Sequence, residues 1–211
     1  MKGLFVVFEG QDGAGKSTQI AALQAHLESC GREVILTREP GGTPIAEKIR
    51  ELLLDRENAG MDAACEAYLY AAARAEHVKN VILPALQRGA VVLCDRFVLS
   101  SLAYQGYGRQ LGEDTVLALN ELAMHGVRPD CTFYLSLDPA LGLSRIADRQ
   151  EGRDRIEMEE MDFHTRVREG YLLCASKDNN IHLLDARQDP DTVTQQMLQI
   201  FSAYLEPLSI K

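Results

Sequence analysis

The sequence predicts an α/β domain, a five-stranded parallel sheet flanked by helices in three layers. Three observations carry that expectation. Short apolar, β-rich runs alternate along the chain with longer segments of helical period. The runs are apolar nearly throughout, as strands covered on both faces are. No repeat, low-complexity tract or linker divides the 211 residues, a length that suits one domain, residues 1–211, with a sizeable core.

Leu4–Phe8 is the first strand, and a glycine-rich stretch follows it at once. Ile20, Leu23 and Leu27 then fall at helical spacing, and Gly31 stops that helix. Val34–Thr37 reads as the second strand and Pro40-Gly41-Gly42 as a forced turn. Thr43 is placed to cap a helix with Ile45, Ile49, Leu52 and Leu53 as its apolar positions. An Ala-rich helical region covers Ala63–Arg88, with a bend expected near Pro84. Ala90–Cys94 and Cys131–Leu137 are the next strands, each followed by a helical segment. His182–Leu184 is the heart of a last short strand, and Pro190–Tyr204 a closing helix. In such sheets ligands sit at the carboxyl ends of strands.

Composition excludes several classes of function. Net charge is −9, which argues against a nucleic-acid binder, since that usually needs a basic face. No apolar stretch approaches the roughly 20 residues of a membrane helix. Glu9 ends the first apolar run too early for a signal peptide. Five widely spaced cysteines without a CxxC pair read as reduced thiols of a cytoplasmic protein. The five histidines, His26, His77, His125, His164 and His182, lack metal-ligand spacing and read as structural. The basic residues divide into 16 Arg and 6 Lys, a bias that suits bidentate recognition of a small anion.

The anion has an obvious seat. Gly10-Gln11-Asp12-Gly13-Ala14-Gly15-Lys16-Ser17 fits G-x-x-x-x-G-K-[ST] without a mismatch, and Thr18 follows. Roughly one random chain of this length in a hundred would match, and here a strand precedes the motif and a helix follows it. Glycines let backbone N–H groups converge on phosphate oxygens, and the positive end of the helix adds to the attraction. Lys16 suits the β- and γ-phosphates, and the Ser17 hydroxyl suits Mg²⁺. The fold is thus a P-loop fold. No N-K-x-D tetrapeptide occurs, which removes a GTPase. The strand Ala90–Cys94 ends in Asp95-Arg96. Asp95 can help hold Mg²⁺, but Arg in place of Glu supplies no base for water, so transfer to an acceptor is favoured over hydrolysis. Glu9 is expected to order the P-loop region, and Glu157, Glu159 and Glu160 to open a helix.

Arg38-Glu39-Pro40-Gly41-Gly42-Thr43 and Asp95-Arg96-Phe97 follow strands on the same sheet edge. Tyr70 and Arg74 share a helical face, and Ser101, Tyr104 and Gln105 recur at one-turn spacing. These stretches resemble the bacterial thymidylate kinase family. FEGxDGAGKST matches at Phe8–Thr18, TREPGGTP at Thr37–Pro44, AARAEH at Ala72–His77 and DRFxxSSxAYQG at Asp95–Gly106. A weaker match is a short Arg-rich lid over about residues 149–157.

The resemblance implies transfer of the γ-phosphoryl of ATP to dTMP, with Mg²⁺, in a homodimer, for dTTP synthesis. It puts Arg38 and Arg96 on the acceptor phosphate, Arg74 on the thymine and Tyr70 against its face. Ser101 and Gln105 match base-contacting positions, and Tyr104 one that crowds the sugar. Asp12 matches the acidic residue that positions acceptor and metal. The P-loop holds no arginine, so a cation over the transferring phosphoryl is expected from Arg149, Arg153 or Arg155, with Arg153 first because Gly152 frees the loop. Taken alone, those arginines also read as a solvated charged loop. Two rivals remain at this point: another nucleoside or nucleotide kinase, and a nucleotide-dependent binding module.

Overall fold

In the computed structural model, which describes residues 3–147 and 152–205, β1 (Leu4–Glu9) is buried along its whole length. Its side chains alternate between two cores, as strand geometry requires. Leu4, Val6 and Phe8 pack with Leu23, Leu27, Leu93 and Phe133, whereas Phe5 and Val7 pack with Val78, Ile82 and Val92. A strand apolar at every position therefore serves both layers. The chain continues through α1 (Lys16–Ser29), β2 (Val34–Arg38), α2 (Pro44–Leu54), α3 (Ala63–His77), α4 (Leu83–Gln87), β3 (Val91–Asp95) and α5 (Val98–Ser101). It closes with α6 (Glu113–Ala123), β4 (Cys131–Ser136), α7 (Pro139–Ile146), α8 (Met161–Ala175), β5 (Ile181–Asp185) and α9 (Pro190–Leu205).

The described strands form one parallel sheet in the order β2-β3-β1-β4-β5, each within a residue of its expected bounds. The order reverses about β1, which makes the carboxyl end of β1 the crevice where ligands bind. Phe8, Asp95 and Arg38 lie level in register, so the loops after β1, β3 and β2 open side by side.

Two helical expectations change. The Ala-rich region is interrupted: a π-helical stretch, Val78–Ile82, separates α3 from α4. Pro84 has no N–H and its ring crowds the carbonyl four residues back, at Asn80, in the middle of that stretch. In α2 the Thr43 cap forms, its hydroxyl accepting from Ala46 N at 3.1 Å. The buried row, however, is Ala46 and Leu53, while Ile45 and Leu52 are 55% and 52% exposed. Helix α2 carries two apolar rows, and the fold of one chain covers only one.

A third core joins Leu102 and Ala103 to Phe163, Val167 and Tyr171 of α8. Leu102–Gly108 is itself π-helical, and its Tyr104 and Gln105 are both buried. This packing sets α8 behind the sheet edge where the loops open.

Candidate active site

The loop Gly10–Ser17 turns directly from β1 into α1. Gly13 has φ +79°, and a Cβ there would stand 2.4 Å from the Gly142 carbonyl oxygen. Only glycine allows that approach. Gly15 caps α1 without a side-chain hydrogen bond, which leaves the helix's first N–H groups to an anion. Lys16 is buried, its Nζ donating to Gly10 O at 2.9 Å and lying 3.9 Å from Asp95 Oδ1. Burial, and then the charge of Arg96, lowers its pKa. Gln11 Nε2 donates to His164 O at 2.9 Å, tying the loop to α8. Ser17 and Thr18 are exposed at the start of α1, and Asp12, Gly10, Ala14 and Gly15 complete the loop.

Arg96 has φ 71°, an unusual backbone for a non-glycine residue that aims its side chain across the crevice. Glu9 holds that turn. Its Oε1 accepts from Phe97 N at 2.8 Å and Ser100 N at 3.2 Å, and its Oε2 from Ser100 Oγ at 2.5 Å and Tyr171 OH at 2.9 Å. The carboxylate expected to order the P-loop thus orders the Arg96 turn, because the sheet register sets β1's end beside β3's. Burial raises the Glu9 pKa against these hydrogen bonds. Arg96 meets Asp12 Oδ1 at 3.0 Å and Tyr171 OH at 3.2 Å, and its guanidinium lies 5.3 Å from the Tyr104 ring centre.

Beside this turn opens a cavity. Tyr70, Arg74, Arg96, Ser101, Tyr104 and Gln105 all line it, with Asp12 where it meets the P-loop. Arg38 does not. It is half-exposed and donates to Glu47 Oε2 at 2.9 Å. Arg50 stands in the wall instead, its Nη1 donating to Pro40 O at 3.1 Å. A signal for it exists in the sequence: Arg50 falls at helical spacing between the buried Ala46 and Leu53, a charge on the inward row. Glu39 and Asp154 also line the cavity without having been singled out.

Arg74 is 2% exposed and heavily partnered. Its Nε donates to Glu39 Oε2 at 2.8 Å and its Nη1 to Ser101 Oγ at 3.0 Å, with Asn120 Oδ1 a further close partner. Glu39 in turn takes His77 Nδ1 at 3.0 Å, which gives that histidine the structural place expected of it. Ser101 therefore meets Arg74, and Gln105 meets Glu66 at 2.8 Å.

Of the lid arginines, Arg149 lies outside the described residues. Arg153 is exposed, and its charge is felt at His164, whose carbonyl holds Gln11 of the P-loop. Arg155 departs from the catalytic expectation. It is 3% exposed, donates from Nε to Leu53 O at 2.7 Å and pairs through Nη2 with Glu66 Oε2 at 2.7 Å. It fastens the lid's base to the end of α2. Gly152 has φ +71°, and a Cβ there would meet Arg56 Nη2 at 2.6 Å. The acidic run past the lid only partly opens a helix: Glu160 caps α8, Glu157 bonds the Asp154 N–H at 3.0 Å, and Glu159 pairs with Arg109 at 2.7 Å.

The residues present suit a hard divalent cation. Asp95 Oδ1 is buried without a hydrogen-bond partner, and the Ser17 hydroxyl stands at the exposed start of α1. So small a protein donor set is the pattern of an ion held mainly by substrate phosphates and water.

A family model described as Thymidylate kinase matches residues 8–197. A thymidylate kinase of Bacillus pumilus is 48% identical over 208 residues, 98% of this chain and 98% of the relative. One of Bacillus velezensis is 46% identical over 213 aligned residues, with full coverage of both chains. A crystal structure of thymidylate kinase from Ehrlichia chaffeensis superposes with a TM-score of 0.78 at 33% identity, covering 96% of this chain and 99% of the other.

Proposed function

The chain belongs to the thymidylate kinase family and phosphorylates dTMP, and we propose that it does so in the cavity between Arg96 and Arg74, with MgATP on the P-loop. One observation carries this reading: one cavity is lined both by Arg96, paired with Asp12 of the P-loop, and by the aromatic and hydrogen-bonding side chains of Tyr70, Arg74, Ser101 and Gln105. The first suits a monophosphate and the second a base. Arg96 and Arg50 take the acceptor phosphate, and Arg38 guards the mouth rather than the wall. Tyr70 lies against the thymine, Arg74 donates to its carbonyl edge, and Ser101 sets the angle of Arg74. Tyr104, packed under Arg96, faces the sugar.

In the transfer, an oxygen of the acceptor phosphate bonds to the γ-phosphorus of ATP. The bond from that phosphorus to the β–γ bridging oxygen breaks, and ADP leaves with the electron pair. No side-chain nucleophile is needed, since the work is positioning and neutralising charge. The amides of Gly10–Ser17 and Lys16 hold the donor, and Asp12 fixes Arg96. Mg²⁺, when bound at Ser17 and Asp95, neutralises phosphate charge. Arg153 supplies the missing cation as the lid closes and excludes water.

Exposed apolar side chains support the homodimer. Ile45 and Leu52 of α2, Tyr68 of α3 and Leu117 and Leu122 of α6 are all exposed, and α3 packs against both other helices. Five free cysteines support the cytoplasmic reading. ADP release measured across the four deoxynucleoside monophosphates tests the site: dTMP should lead, and Arg96→Ala should raise its KM far more than that of ATP. Equal losses for both substrates would put Arg96 on the wrong one.

A further inference from the structure

We propose that Glu66, which lies outside the cavity lining, is a specificity-determining positioning residue: it forces Gln105 to present its carbonyl oxygen to the base, and so selects thymine over cytosine. The inference rests on the reading that the base lies against Tyr70, Arg74 and Gln105.

Glu66 is fully buried in α3. Its Oε1 accepts from Gln105 Nε2 at 2.8 Å, and its two oxygens take Arg109 Nε and Nη2 at 2.9–3.3 Å. Arg155 Nη2 lies 2.7 Å from its Oε2. Burial works against the charge, but the arginines and the amide outweigh it and hold the carboxyl below its usual range. Glu66 is therefore ionised at neutral pH, and an ionised carboxylate only accepts. An amide facing it must turn its NH₂ inward, and its oxygen is then directed the other way. Gln105 lines the cavity, and no donor among the described residues reaches its Oε1. An amide oxygen turned into the cavity only accepts, so it is open to a ligand that supplies a donor.

Thymine supplies it. Ring N3–H is a donor flanked by two carbonyl acceptors, which matches an acceptor at Gln105 and a donor at Arg74. Cytosine presents an unprotonated N3 and an amino group, the opposite pattern at both places. Uracil shares thymine's hydrogen-bonding edge, so Glu66 discriminates the edge and is blind to the methyl. That blindness separates a positioning role from a merely structural one.

The test is kcat/KM for dTMP, dUMP and dCMP in the full-length enzyme. Glu66→Gln puts an amide that can donate or accept opposite Gln105 and frees its orientation. The dTMP-to-dCMP ratio should fall about tenfold or more, while the dTMP-to-dUMP ratio holds. Gln105→Leu should narrow the same ratio, and Glu66→Gln should add nothing to it in that background. Equal loss for dTMP and dCMP in Glu66→Gln overturns the proposal, as does a further narrowing in the Gln105→Leu background. If Glu66→Gln does not fold, Gln105→Leu decides, since an unchanged ratio there is also fatal. Tyr70→Ala keeps the underlying reading separate: an unchanged KM for dTMP in that variant would mean that the base lies elsewhere.

Discussion

Arg155→Ala is expected to harm the fold more than the reaction, and Arg153→Ala the reverse. Arg155 is 3% exposed and joins the lid's base to two places: its Nε reaches Leu53 O at 2.7 Å, and its Nη2 reaches Glu66 at 2.7 Å. Breaking a buried ion pair costs about 3–5 kcal/mol. Glu66 retains Arg109 at 2.9 Å, which favours the lower half of that range. The Leu53 carbonyl, at the end of α2 where no intrahelical donor remains, adds about 1 kcal/mol when its partner goes. The sum is about 4–5 kcal/mol. At about 2–4 °C per kcal/mol for a chain of this size, Tm should fall by roughly 8–20 °C. Arg153 is exposed, so its truncation should move stability by about 0.5 kcal/mol or less. It should instead lower kcat by roughly 10²–10⁵-fold with little change in the KM for dTMP, because the cation acts mainly in the closed, reacting state. Thermal unfolding by circular dichroism and steady-state kinetics on the two purified variants decide the matter. An Arg153→Ala enzyme with wild-type kcat refutes the lid assignment. An Arg155→Ala enzyme with wild-type Tm refutes the anchor.

Lys16→Met should abolish most transfer while the protein stays folded, and near-normal turnover would remove Lys16 from the chemistry. The same variant tests the lowered Lys16 pKa. Between the folded value and the usual 10.5, the unfolded chain binds the extra proton, so this lysine's contribution makes nucleotide-free stability rise with pH in that window. Chemical denaturation from pH 7 to 10 should show that slope reduced in Lys16→Met, and an identical slope would mean that Lys16 titrates normally. Gly13→Ala should disrupt the loop, because a Cβ 2.4 Å from Gly142 O at φ +79° forces α7 or the loop to move. An unaltered KM for ATP would show that the loop tolerates the shift. Tyr104→Ala should preferentially improve the ribose form of TMP as acceptor, and an equal effect on both sugars would rule out a sugar gate.

The sheet and the phosphate loop were legible in the sequence because their signals are local. Apolar runs, glycines and the Thr43 cap each act over a few residues, and the motif at Gly10–Ser17 carries its own backbone requirements. The resemblance supplied about half of the cavity's lining residues. What neither could supply was pairing between distant segments. Arg74 meets Glu39 across 35 positions, Gln105 meets Glu66 across 39, and Arg155 reaches Leu53 across 102. No sequence period links such residues. They meet because the parallel crossovers bring α2, α3 and residues 152–157 together. That placement turned Arg38 outward and brought Arg50 into the wall. It also spent Arg155 on an anchor and gave Glu9 to the Arg96 turn. An arginine's charge is readable from its letter, but its partner depends on which carboxylate the packing leaves nearest, and only the tertiary structure decides that.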